Sequence, residues 1–464
     1  MEISSFLSIH REKNLFLPAH GRGDALPISL KSLLSLKPGL WDLPELPSFG
    51  GPLISNGVVA ESQNLSAESF GADHCWYGVN GATGLLQAAI LSIANPGTGL
   101  LMPRNVHKSI IQACVLGDIK PILFNLPFLE DRGHFVPPDA LLLNKVLDSL
   151  PANTPFISGA ILVNPSYQGY SKDIYPLVKF LHSKSIPVII DEAHGSHFTM
   201  GLSQLPNSGL DAGADIVVHS LHKSANGLCQ TAVIWLKGNR IDPENLEKNL
   251  GIIQTTSPSS LLLASCEASL RDLKNNSTRK IFIKRINSAK SIFEELVQKG
   301  VPLLENQDPL RLLLHTAKVG ISGFKVDEWM ISKGLIAELP EPGCLTFCLG
   351  FSSQDDLVSI LKRYWDEAVS LYSSGIPSPP FSAPPFPIVT VPKVSCFSAF
   401  RRTSELIRLQ DSVGRTSAQI LSPYPPGIPM LIPGELLEKK YVDWLLLQSS
   451  LWPDQIPSHI RVVV

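Results

Sequence analysis

Along this chain, short β-branched apolar runs end abruptly at polar clusters, and amphipathic or Ala/Leu-rich stretches lie between them. The run Ile216, Val217, Val218 stops at His219-Ser220-Leu221-His222-Lys223, and PVII (187–190) stops at Asp191. Apolar runs of this length with no polar alternation read as strands buried on both faces, as in a parallel sheet. Residues 157–190 form a βαβ unit: the strand ISGAILV, the loop NPSYQGY, a helix with Ile174, Leu177, Val178 and Leu181 at helical spacing behind Ser171, and the strand PVII. The crossover implies parallel strands. The pattern divides the chain into an irregular, Pro/Gly-rich N-terminal arm (1–60), a major α/β domain (61–290), a smaller α/β domain (291–375), a Pro-rich linker (376–392) and a C-terminal segment (393–464). The stretch 269–300 reads as a helical connection, and 376–392 is too proline-rich for helix or interior strand and should be extended. The arm has too few periodic apolar residues to pack on itself, so it should lie across another surface, its own domain or a second subunit.

Composition narrows the function classes. Charged residues make up 17% of the 464 residues and the formal net charge is −2, which gives no basic stripe for nucleic acid. The seven cysteines are scattered, odd in number and without a CxxC pair, which argues against a disulfide framework or a thiolate zinc site and fits a reducing, cytoplasmic setting. Arg11 interrupts the N-terminus before a signal-peptide core develops, and no run approaches the roughly 18 apolar residues of a membrane span. The expectation is a soluble protein that is not exported and binds no membrane.

The chemistry gathers where the strands end, which is where open α/β sheets hold ligands. Lys223, flanked by Ser220, His222 and Ser224, would sit at the mouth of such a site, partly desolvated and amine-like enough to form a Schiff base; alone, it could equally be a solvated loop lysine. Gly78-Val79-Asn80-Gly81-Ala82-Thr83-Gly84 opens a helix and suits an anion, or is an ordinary tight turn; it lacks the lysine of a nucleotide-binding loop. The strand end LMPRNVHKS (101–109) delivers Arg104, Asn105, His107 and Lys108, and His107 could lie flat on an aromatic ligand. Three readings compete for Asp191-Glu-Ala-His194-Gly-Ser-His197. A helicase-type box needs an upstream phosphate loop, and the chain has none. A metal site could use Asp191, His194 and His197, but in a glycine-containing turn they have no helical face to converge on. The third makes Asp191 the partner of a protonated pyridine nitrogen, with Lys223 as the covalent anchor.

The ordered set NGATG (80–84), RNVHKS (104–109), NPSYQG (164–169), DEAHGSHF (191–198), HSLHK (219–223) and QTTSPS (254–259) resembles the Orn/Lys/Arg decarboxylases. These are pyridoxal 5'-phosphate (PLP) enzymes of the aspartate aminotransferase fold. The motifs span about residues 15–270, and GISGF (320–324) and YPPGIPMLIPGE (424–435) resemble the family's C-terminal part. The likeness is to the short members, without the receiver-like N-terminal wing of the long bacterial enzymes. It implies a PLP-dependent transferase fold, α/β with a mainly parallel sheet and a smaller C-terminal α/β domain, in which 61–290 binds the cofactor. By the same resemblance Lys223 holds PLP, Asp191 pairs with its ring nitrogen, His107 stacks on the ring and Ala193 packs beneath it. Ala82, Thr83, Ser220 and His222 contact the phosphate, and Thr255 and Thr256 reach the phosphate of a neighbouring subunit, so the active unit is a homodimer or higher homo-oligomer with shared sites. Two departures blur the substrate end: Ala19 in PAHGRG (18–23), where the family usually has Gly, and Pro44 in WDLPEL (41–46), where Thr is common. The implied reaction removes CO2 from arginine, lysine or ornithine and leaves the amine, a step of polyamine biosynthesis. An aminotransferase or aldolase is the alternative, because the same constellation serves both. A basic substrate needs carboxylates for its distal cation, and Asp42, Glu45 and Glu435 are the candidates; of the other notable polar groups in the C-terminal segment, Arg401, Arg402 and Tyr424, the arginines read as surface and packing residues.

Overall fold

The computed structural model describes residues 3, 13–352, 354–423, 427–452 and 454–464; Tyr424 lies outside the described residues. Eight strands make the main sheet: β1 (His74–Gly78), β2 (Gly99–Pro103), β3 (Lys120–Phe124), β4 (Ile157–Val163), β5 (Val188–Asp191), β6 (Ile216–Ser220), β7 (Ala232–Leu236) and β8 (Val389–Thr390). Their order is β8-β3-β2-β4-β5-β6-β7-β1. The pairs β3–β2, β2–β4, β4–β5 and β5–β6 are parallel. Only β7 and the edge strand β8 run against the rest. The C-terminal ends of β1, β2, β4, β5 and β6 therefore open on one edge of the sheet.

Successive side chains point to opposite faces of a strand, and both faces here are covered. Val217, Val233, Trp235, Val188, Ile190 and Leu162 enter one core, while Ile216, Val218, Ile234, Ile189 and Ile161 enter the other. That two-sided burial is why these strands read as continuous apolar runs. The helix Gly81–Ile93 buries Leu85, Leu86, Ala88, Ala89 and Ile90 in the second core.

The stretch over 269–300 is helical, in two pieces, Ser260–Lys274 and Asn276–Gln298, and the boundary placed at 290/291 falls inside the second. Beyond it, Leu303–Leu304, Arg311–His315, Cys344–Cys348 and Leu339–Pro340 form an antiparallel sheet, accompanied by the helices Gly323–Ser332 and Leu357–Tyr372. The N-terminal arm carries the helix Ile28–Leu34, and its strand Lys13–Asn14 pairs with Leu335–Ile336 of this small domain. The proline-rich stretch 376–392 ends in β8, at the sheet edge where a strand adjoining prolines is tolerated. The C-terminal segment has its own core of Leu409, Leu431, Tyr441, Leu445, Trp452, Ile460 and Val462. Among the described residues no helix is long and apolar enough to cross a membrane. All the cysteines are unpaired.

Candidate active site

The strand ends frame a cavity of about 450 Å³. Its walls include Gly81, Ala82, Thr83, Asn105, His107, Asp191, Ala193, His194, Ser220, His222 and Lys223, so most of the predicted site residues share one space. Each arrives directly after its strand. Lys223 stands on the single turn Leu221–Ser224 that follows β6, Asp191 is the last residue of β5, and His107 caps the helix Lys108–Gly117 after β2, its Nδ1 2.9 Å from Ser109 Oγ. Ala82 and Thr83 open the helix after β1, where the first N–H groups of a helix have no acceptor within it. Gly81 has a φ of +69°, and a Cβ there would meet nothing within 4 Å, so the chain can turn into the helix and leave the cavity clear.

Electrostatics sets this group apart. Lys223 Nζ lies 2.9 Å from His194 Nε2. Burial pushes the lysine's pKa down, against the pull of Asp191 and Glu338. Asp191 is 6% exposed, and its Oδ1 accepts the Ala193 N–H at 3.2 Å. Burial pushes its pKa up, while Lys223 and the Ala193 N–H oppose that. His107 is lowered to about 4 by burial and then by Lys223 and Lys108. His222 is lowered to about 4 by burial and then by Lys223, and its Nδ1 is 3.1 Å from Ser220 Oγ. Both rings are thus neutral at neutral pH. Further around the wall, Tyr167 bonds Glu338, the Leu17 N–H donates to Glu338 at 2.8 Å, and Gln168 donates to Glu341 at 3.0 Å. His134 lies 3.1 Å from Glu341; burial works against its charge, but Glu341 holds its pKa well above the ordinary value.

These residues fit a phosphorylated pyridine aldehyde. A buried carboxyl at a strand end is costly unless it meets a cation, and a protonated ring nitrogen is one. The helix start at Ala82 and Thr83, with Ser220 and His222, suits a phosphate. Arg104 and Asn105 also line the cavity, and among the described residues Asn105 Oδ1 and Arg104 Nε and Nη1 are buried without a hydrogen-bond partner.

Five predicted residues lie outside the cavity walls. Thr255 and Thr256 are exposed and outside the cavity walls, and so are Asp42 and Glu45. Glu435 is buried but engaged: it pairs with Arg104 and accepts the Ile432 N–H at 3.0 Å. Arg401 and Arg402 are exposed. The metal alternative has no geometry behind it. His194 faces Lys223 and Arg311, His197 Nε2 sits 3.0 Å from Asp308, and no group of three or more His, Cys, Asp or Glu is placed to hold a metal among the described residues.

The structure also brings in residues that the sequence did not single out. The arm folds over the site: Leu17 and Pro18 line the cavity, and the Ala19 N–H donates to the His222 carbonyl at 2.9 Å. Phe381 and Phe386 from the proline-rich stretch, and Trp444 and Trp452 from the C-terminal segment, close it with aromatic surface. Tyr167 stood inside a recognised motif and could have been found there, whereas Glu338, Glu341 and Arg311 come from the small domain, where no local pattern marks them.

The family model described as Orn/Lys/Arg decarboxylase, major domain, matches residues 41–313, and that described as Orn/Lys/Arg decarboxylase, C-terminal domain, matches 381–457. An arginine decarboxylase of Halalkalibacterium halodurans is 28% identical over 454 residues, covering 94% of this chain and 90% of its own length. Among solved structures, lysine decarboxylase A from Pseudomonas aeruginosa has a TM-score of 0.76 at 17% identity over 91% of this chain and 74% of that one. The constitutive lysine decarboxylase of Escherichia coli has a TM-score of 0.73 at 19% identity over 90% and 74%. The structural likeness is one of fold, a PLP-dependent α/β fold with a mainly parallel sheet.

Proposed function

We propose, from the premise that the chain belongs to the Orn/Lys/Arg decarboxylase family, that this amino-acid decarboxylase uses PLP held by Lys223 and acts on a basic amino acid, arginine first. Membership decides against the aminotransferase and aldolase alternatives. The observation that carries the proposal is the convergence of a desolvated amine, Lys223, and a buried carboxyl, Asp191, from adjacent strand ends on one cavity. Arginine is placed first because the arginine decarboxylase of H. halodurans matches nearly the whole chain.

Bound PLP supplies a protonated ring that accepts the electron pair left when the α-carboxylate departs as CO2. Each residue of the chain then has a task. Lys223 supplies the attaching amine, and Asp191 keeps the ring nitrogen protonated by offering a buried negative charge. His107, neutral and held by its bond to Ser109, would stack on the ring, and Ala193 would pack beneath it. Ala82 and Thr83 at the helix start, with Ser220 and His222, take the phosphate. The aromatic wall of Phe381, Phe386, Trp444 and Trp452 keeps water from the reacting carbon. Thr255 and Thr256, exposed on one chain, would reach the phosphate held by a neighbouring subunit in a homodimer.

The substrate's distal cation calls for carboxylates. Asp42 and Glu45 would reach a site only from a neighbouring chain, and Glu435 is occupied by Arg104. Glu338 and Glu341 line the cavity itself and are better placed. In this proposal the enzyme works in the cytoplasm and feeds polyamine synthesis. The test is to incubate the chain with PLP and arginine, lysine or ornithine in turn and to measure amine and CO2. Equimolar amine and CO2 from one of them supports the proposal, and keto acid without CO2 would overturn it.

A further inference from the structure

We propose that Arg311 is a positioning residue: by donating to Nδ1 of His194 it fixes that ring's proton on Nε2, so that Lys223 meets a donor and its amine stays unprotonated. Donor and acceptor capacity decides the tautomer. Arg311 Nη2 lies 3.2 Å from His194 Nδ1, and a guanidinium can only donate. Nδ1 is therefore the acceptor, and a neutral imidazole has its single proton on Nε2. That nitrogen is 2.9 Å from Lys223 Nζ. An ammonium has donors only, so a charged Lys223 would face an N–H with nothing to accept it. The free amine has a lone pair that takes the Nε2–H, so both short contacts are satisfied when Lys223 is neutral.

The other way out, a doubly protonated His194, is opposed by its surroundings. The ring is 8% exposed and its Nδ1 takes a hydrogen bond from the permanently cationic Arg311, so burial and the guanidinium both work against a charged imidazole. The groups facing Lys223 pull both ways. Asp191, Glu338 and Cys348 favour its ammonium form, and burial and Arg311 favour the amine. Glu338 is itself held by the Tyr167 hydroxyl and the Leu17 N–H, and the Tyr167 ring lies 4.4 Å from the His194 ring. Arg311 is 3% exposed and does not line the cavity, so it acts through His194. It belongs to the strand Arg311–His315 of the small domain. The seating of that domain is thereby coupled to the state of the reactive lysine on the major one.

The proposal deepens the assignment of Lys223 as the cofactor lysine and rests on it for its meaning, but the two fail separately, because the test reads the full chain freed of cofactor and never measures decarboxylation. Nitrogen NMR of the histidine-labelled chain, with His194→Ala to assign the signal, reports which ring nitrogen carries the proton. Competitive acetylation with acetic anhydride, read by peptide mass spectrometry against exposed Lys37, reports the free amine at Lys223. In the parent chain the His194 proton is expected on Nε2. In Arg311→Met, acetylation of Lys223 at about pH 7.5 is expected to fall about tenfold, a shift of one pKa unit, as the tautomer relaxes. Arg311→Lys, which keeps the charge and the donor-only character, restores most of the rate. In a His194→Ala background the effect of Arg311→Met shrinks, because only the through-space charge is left. A parent His194 protonated on Nδ1 overturns the proposal whether or not any variant folds. So does an unchanged Lys223 rate in a folded Arg311→Met chain, or an effect of equal size without His194.

Discussion

Replacing Glu435 by Gln separates a structural role from a substrate-reading one. Arg104 and Glu435 have side chains only 3% and 5% exposed, and the pair ties the C-terminal segment to the end of β2. Without the carboxylate, Arg104 keeps its stacking on Phe386, with the guanidinium carbon 3.7 Å from the ring centre, and among the described residues no other anion is bonded to it and Nε and Nη1 have no partner. Removing one member of a buried ion pair costs about 3–5 kcal/mol. Glutamine can still accept a hydrogen bond, so about 3 kcal/mol is expected, roughly two powers of ten in the unfolding equilibrium. Urea unfolding followed by tryptophan fluorescence, with Trp444 and Trp452 as reporters in the affected segment, should show the loss. The double replacement Arg104→Met with Glu435→Leu should recover about 2 kcal/mol of it, because no buried charge is then left alone. In the assay, Glu435→Gln should lower turnover of arginine and of a neutral amino acid of similar length alike. A Glu435→Gln chain as stable as the parent, with a raised KM for arginine alone, would refute the structural reading and make Glu435 the reader of the substrate cation.

Three further outcomes follow from the same structure. Burial works against the charge of Asp308, but His197, its hydrogen bond and Arg311 hold the pKa below the ordinary carboxylate value, so its contribution is present above about pH 4 and lost as pH falls through the depressed value. Asp308→Asn should cost about 3 kcal/mol at neutral pH and flatten that acid limb in urea titrations, and an unchanged limb would disprove the pairing. His107 and His222 are neutral in the folded chain down to about 4, while the unfolded rings take up protons from about pH 6.5, so the cofactor-free chain should lose stability as pH falls between these values. His107→Phe should make that slope shallower, and an equal slope would count against the buried neutral ring. Finally, Lys223→Ala mixed with the double variant Thr255→Ala, Thr256→Ala should regain activity through hybrid dimers with one intact site, and no recovery in confirmed hybrids would remove the shared site.

What could be read from the sequence follows the range of the interactions. The parallel core was legible because strands buried on both faces must be apolar throughout and must stop where polar groups begin, as at Asp191 and Ser220. Lys223, Asp191, His107, Ala82 and Thr83 lie within a few residues of those stops, and local pattern reaches that far. Glu338, Glu341 and Arg311 do not; they meet the site only because an antiparallel small sheet is folded back onto it, and nothing in ELPEPGC or DPLRLL marks a buried charge. The proline-rich stretch was legible as extended chain, since proline forbids helix and interior strand, but that Phe381 and Phe386 close the cavity depends on tertiary packing. His194 drew notice for the wrong chemistry, because a histidine in a turn beside an aspartate suggests a ligand until Arg311 and Lys223 are seen on its two nitrogens.

Everything proposed for the site turns on Lys223 as the residue that would carry the cofactor. The most direct measurement is borohydride reduction of the PLP-loaded chain followed by peptide mapping with mass spectrometry. The added pyridoxyl mass is expected on the peptide containing Lys223, with neither that mass nor CO2 release in Lys223→Ala. Stable label on a different lysine, or full turnover without Lys223, would contradict it.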